Sequence, residues 1–166
     1  MSSNDGGSFN DTVSVAQMNF SVTIKLQDRL ILAGAQISGI RDSVVQSMST
    51  EERIAAVNKL PGVWYLRIDI APSDSLVAIC DIYPGSVRGR AISESILRQF
   101  ATEGYQTKVR EGLRIPEVRN TNKTAIALGI KTSDQTTADK IVDMIYTGLR
   151  DFYRQMDKEA QTGKQE

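Results

Sequence analysis

The chain has 166 residues, 40% of them hydrophobic, and its 20 basic and 20 acidic side chains balance. That length fits one domain with its own core, and balanced charge excludes a chain-wide attraction to nucleic acid or anionic lipid. A single cysteine excludes an intramolecular disulfide, and the lack of any histidine removes the commonest general base, zinc ligand and triad partner.

Residues 1–12 are mostly Ser, Asn, Asp and Gly, with Phe9 the one aromatic. They bury too little apolar area to offset the entropy of ordering, so a disordered arm is expected there. Met18, Phe20, Val22, Ile24 and Leu26 alternate with polar residues, the pattern of a half-buried strand. Leu30-Ile31-Leu32-Ala33 reads as a second strand closing a hairpin with the first. Ile40, Val44, Val45 and Met48 have helical spacing. Ser49-Thr50-Glu51-Glu52 is a capping-box pattern that opens a helix carrying Ile54, Val57 and Leu60, and Pro61-Gly62 stops it.

The densest apolar pattern follows. Trp64, Leu66, Ile68 and Ile70 share one face of a strand, and Leu76, Ala78, Cys80 and Ile82 share one face of the next. The Pro72-Ser73-Asp74 turn between them predicts a central hairpin. Ile92, Ile96, Leu97 and Phe100 then form a helical stripe. Tyr105, Thr107 and Val109 predict a short edge strand, with Lys108 and Arg110 discouraging further pairing. Residues 112–122 contain Pro116 and read as a long loop. Residues 124–130 form a last buried strand. A long terminal helix carries Ala138, Ile141, Val142, Ile145, Leu149, Phe152 and Met156 on one stripe. The expected organisation is an arm (1–12), one α+β domain (13–158) and a frayed tail (159–166). The domain is a small, mainly antiparallel sheet packed against two or three helices, one of them the long C-terminal helix.

Candidate sites follow from charge and from apolar residues that are hard to bury locally. The segment 88–123 carries eight basic and four acidic residues, a net charge of +4. Arg88, Arg90, Arg110, Arg114, Arg119 and Lys123 are its candidate contacts to nucleic acid or another polyanion. Leu113, Ile115 and Val118 of the loop, with Phe152, Tyr153 and Met156 of the terminal helix, are candidates for self-association. Asp69, Asp74 and Asp81 lack the spacing of a metal loop and read as solvated carboxylates. Cys80, on an apolar face, reads as a buried small hydrophobe. No cofactor, metal or catalytic residue is expected, and no run approaches the about 18 apolar residues of a membrane span.

Two short stretches carry a family resemblance over residues 18–112. They are Phe20-Ser21-Val22-Thr23-Ile24-Lys25, and Asp81-Ile82-Tyr83 leading into the helix that ends near Phe100. With the arm before them, their order resembles the matrix proteins of plant-infecting rhabdoviruses. The chain departs from that pattern in an arm with Asp5 and Asp11 and no basic residue. The resemblance implies a non-enzymatic structural protein of the virion that self-associates, packs against a nucleoprotein–RNA complex and touches membrane only peripherally. It also implies an intracellular location, host cytoplasm or virion, without secretion. The alternative class is a cytosolic RNA- or protein-binding module, and an enzyme working through carboxylates is the third.

Overall fold

The computed structural model describes residues 14–39 and 48–163. The expected arm and the positions Ile40, Val44 and Val45 lie outside the described residues. The elements run α1 (Val15–Leu32), α2 (Thr50–Lys59), β1 (Trp64–Pro72), β2 (Val77–Ile82), α3 (Val87–Thr102), β3 (Gln106–Glu111), α4 (Pro116–Asn120), β4 (Thr124–Thr132) and α5 (Ala138–Thr162). Four strands form one sheet in the order β1-β4-β2-β3. The β1–β4 and β2–β3 pairs are parallel, and β2 meets β4 antiparallel. The α+β class therefore holds, with a mixed sheet where mainly antiparallel pairing was expected.

Two corrections explain that difference. The first concerns residues 18–26, which are helical and not a strand. Only Met18, Val22 and Leu26 are fully buried there, four residues apart. A spacing of four satisfies both the two-residue period of a strand and the near-four period of a helix. Ser14 decides the choice. Its hydroxyl accepts from the Gln17 amide at 3.2 Å while the Gln17 side chain accepts from the Ser14 amide at 2.8 Å, a complete capping box. The stretch Leu30-Ile31-Leu32 finishes this helix, so the first hairpin does not exist.

The second concerns β1 and β2, which do not pair with one another. β4 lies between them, in register from Trp64 opposite Thr124 to Pro72 opposite Thr132, and from Val77 opposite Lys131 to Ile82 opposite Ile126. The near-continuous burial of Ala125, Ile126, Ala127 and Leu128 suits an inner strand covered on both faces.

The face made by Leu66, Ile68, Ile70, Ala78, Cys80, Ile126 and Leu128 carries the main core, under α1, α3 and α5. α1 also closes the outer edge of β1. The Asn19 side chain donates to the Ile70 carbonyl at 3.0 Å and accepts the Ile70 N–H at 2.9 Å, as a neighbouring strand would. α5 buries Ala138, Ile141, Val142, Ile145 and Leu149 as the stripe predicts. It crosses α3 at Gly148, whose carbonyl accepts from the buried Ser95 hydroxyl at 2.7 Å. Among the described residues no helix is long and apolar enough to cross a membrane.

A Cβ on Gly148 would stand 2.5 Å from the Ile96 Cα and 2.8 Å from the Ser95 carbonyl oxygen. These are backbone atoms that cannot turn aside. Gly148→Ala is therefore expected to lower stability by about 1–3 kcal/mol, although alanine is the better helix former. Denaturant unfolding would register it as a lower midpoint at unchanged slope.

Candidate functional site on the open sheet face

The other face of the sheet is only half covered. Tyr65, Arg67 and Asp69 alternate with the core residues of β1 and so point to it, as do Ala125, Ala127, Gly129 and Lys131 of β4. α4 rests on one end of this face, where Val118 packs with Ala125, Ala127, Tyr65 and Ile115. The small alanines let a five-residue helix lie close to the strands.

A chain of charges fixes α4. Glu117 is 1% exposed. Its Oε1 accepts from Arg53 Nε and Nη2 at 3.2 and 3.0 Å, and its Oε2 accepts from Arg67 Nη1 at 3.0 Å. Arg53 comes from α2 and Arg67 from β1, so one carboxylate ties three elements together. Burial alone would raise the Glu117 carboxyl. Its own backbone amide and the two arginines outweigh burial and hold it below the ordinary glutamate value. Tyr65 beside it is shifted up, by burial first and then by the Glu117 charge. Arg67 continues the chain, with Nη2 2.8 Å from Asp69 Oδ2.

The strand registers set Arg67, Ala127, Asp81 and Arg110 in one row across the sheet. Asp81 accepts from Arg110 Nε at 2.9 Å and Nη2 at 2.7 Å, a two-pronged pair, with Arg114 Nη2 at 3.8 Å. The next row is Asp69, Gly129, Ile79 and Lys108, and Lys131 lies one row further along β4. Asp69, Lys108 and Lys131 are exposed and Gly129 and Ile79 half-buried, so the face is open there.

The structure disperses the expected basic contacts. Arg90 pairs with Glu111 at 2.7 Å and Glu94 at 3.6 Å, and Arg110 and Arg114 turn to Asp81. Arg88 lies exposed in the first turn of α3. Arg119 and Lys123 line an open cleft of ≈ 440 Å³ between the Tyr83-Pro84-Gly85 turn and the start of β4. Of the candidate contact residues for self-association, Val118 is buried and Ile115 half-buried, because residues 112–122 contain a helix and not only a loop. Leu113 stays exposed. Phe152 packs on the main core. The Tyr153 hydroxyl accepts from Trp64 Nε1 at 2.7 Å. Met156 is exposed.

Sequence reading missed Arg53, Arg67, Glu117, Gly129 and Lys131. Only Gly129 left a signal, a glycine inside an apolar strand pattern. For chemistry, no group of His, Cys, Asp and Glu among the described residues could hold a metal ion. Burial pushes the Cys80 thiol up to about 12, against the weaker pull of the Ser93 hydroxyl, so it is no nucleophile at neutral pH.

No protein-family model and no curated protein sequence matches this chain. Solved structures do. The CwlD amidase of Clostridioides difficile, determined in complex with the GerS lipoprotein, superposes with a TM-score of 0.65 at 14% identity, over 93% of this chain and 94% of that one. The catalytic domain of CwlV, an N-acetylmuramoyl-L-alanine amidase from Bacillus (Paenibacillus) polymyxa var. colistinus, gives 0.70 at 12% identity, covering 92% and 93%. The amidase Ami1 of Mycobacterium smegmatis gives 0.72 at 14%, covering 89% and 80%.

At these identities the likeness is one of fold. It overturns the resemblance to rhabdovirus matrix proteins, since the architecture is that of cell-wall amidases. The expectations of a viral structural protein and of a non-enzyme fall with it. An RNA- or protein-binding module does not fit these neighbours either. A nucleoprotein–RNA partner and self-assembly find no support among them.

The Glu117 lock has a signed pH dependence. A carboxyl held low adds stability above the ordinary glutamate value near about 4.3, and that stability is lost as pH falls through the lower folded value. Glu117→Gln is expected to cost about 1.5–3 kcal/mol at pH 7, the range for hydrogen bonds to a charged group. Melting curves of the two proteins should converge as the buffer is taken below about pH 4. A gap that stays constant with pH would mean that packing, not charge, carries the lock.

Proposed function

We propose that this domain is a hydrolase of the cell-wall amidase type, acting on the amide between an acylated amino sugar and a peptide. The observation that carries the reading is the match to amidases along nearly the full length of both chains, 93% and 94% in the CwlD pair. The substrate class is the one for which N-acetylmuramoyl-L-alanine amidases are named.

Amide hydrolysis needs an activated water or a nucleophile. The described residues offer no metal-ligand group, and Cys80 is buried. Asp69 remains. It is an exposed carboxylate on the open face, held on one oxygen by Arg67 and able to take a proton from water on the other. Arg67, held between Glu117 and Asp69, fixes the orientation of the Asp69 carboxylate. This reading places the proton transfer on a carboxylate base. A protein partner belongs with the same reading, as the complex of CwlD with a lipoprotein illustrates.

The test is release of alanine-terminated peptide from a purified muramoyl peptide, followed by mass spectrometry. The parent protein should release it, and a metal chelator should leave the rate unchanged. Asp69→Asn should lower the rate by about 10²-fold or more, the lower end for loss of a general base. No release at stoichiometric protein, beside an active amidase as control, would sink the hydrolase reading. Activity abolished by the chelator and indifferent to Asp69→Asn would sink the carboxylate route.

A further inference from the structure

Gly129 occupies the middle of an inner strand, where glycine weakens the sheet and packs nothing. The fold does not ask for it. Its φ is not positive, the register on both sides of β4 runs without a bulge, and an added Cβ would meet nothing closer than the Ile79 carbonyl oxygen at 4.0 Å. Gly148, by contrast, has backbone atoms at 2.5–2.9 Å from the same test position. With turn, bulge and close packing excluded, what remains is room for another chain to approach the sheet.

The charge around that room has one sign left over. On the open face the carboxylates are engaged, Glu117 by Arg53 and Arg67, Asp69 by Arg67, and Asp81 by Arg110 and Arg114. Lys108 and Lys131 have no ion-pair partner among the described residues. They stand two strands and one row apart, roughly 12 Å between Cα atoms from ordinary sheet spacings. Half-buried Val77 and Ile79 lie between them.

We infer that the open face seats an acidic peptide, its backbone lying over Gly129 and its carboxylates held by Lys108 and Lys131. The inference rests on the hydrolase reading only for what that peptide belongs to; the seat itself rests on the sheet. An extended peptide puts alternate side chains about 7 Å apart on one side, a span that two flexible lysines can bracket.

The probe is the free tetrapeptide Ala-Glu-Ala-Glu, which has no sugar–peptide amide to cut, with Ala-Gln-Ala-Gln as its neutral counterpart. In an NMR titration the acidic peptide should shift the amides of Gly129, Ile79, Lys108 and Lys131 saturably, and added salt should weaken it. The neutral peptide should bind at least tenfold more weakly. Lys108→Glu with Lys131→Glu, both on exposed side chains, should remove binding. Gly129→Val should also weaken it at least tenfold while the melting temperature holds or rises, since valine suits a strand. Equal binding of both peptides, shifts confined to other residues, or full affinity in Gly129→Val would each overturn the inference. Failure of muramoyl-peptide release alone would leave it standing, because this probe carries no scissile bond.

Discussion

The placement of β4 between β1 and β2 is the constraint on which the rest of the structure depends. β1 and β2 are joined by a short turn and could have closed as a hairpin. They are held apart because a later strand pairs with both, parallel to one and antiparallel to the other. That strand must be buried on two faces, and its run of Ala, Ile, Ala and Leu allows it. Its register then aligns side chains that are far apart in sequence. Arg67 and Asp81 face each other across Ala127, and Asp69 and Ile79 face each other across Gly129.

Small residues on β4 and α5 divide the molecule into parts that tolerate change and parts that do not. Ala125 and Ala127 make the bed for α4, and Gly148 makes the crossing of α3 and α5. At those positions backbone or tightly packed neighbours occupy the space. Gly129 has the same small size for a different reason, since nothing within the fold fills its vacancy. The buried Glu117 marks the border between the two regimes. On its side of the face, arginines from α2 and β1 converge on one carboxylate. Beyond it Asp69, Lys108 and Lys131 are exposed, with Ile79 and Gly129 half-buried between them.

The face patterns of β1, β2 and β4 and the stripes of α3 and α5 were legible in the sequence, because two- and near-four-residue periods separate cleanly there. The edge position of β3 followed from its charges. α1 was not legible as a helix, since Met18, Val22 and Leu26 fit either period and the capping box at Ser14 went unread. The pairing of β1 with β4 was out of reach for a different reason: it is set by residues some sixty positions apart, and local turn chemistry at Pro72-Ser73-Asp74 argued for the hairpin. The open face stayed hidden as well. A tally of charge along 88–123 counts Arg90 and Arg110 as available cations. In space Glu111 and Asp81 neutralise them, and the unpaired lysine at 131 lies outside the segment altogether.

Architecture and chemistry carry different weights in this molecule. A fold shared at 12–14% identity with amidases fixes where strands and helices lie, while the reaction depends on the side chains that the fold displays. On the proposed reading, a chain without histidine draws on a carboxylate for proton transfer. On the sheet, Asp69, Lys108 and Lys131 meet water on the face away from the core under α1, α3 and α5. The large apolar core thus lies against one face of the four strands, while the ion pairs of Arg67 with Glu117 and Arg110 with Asp81 tie elements together on the other.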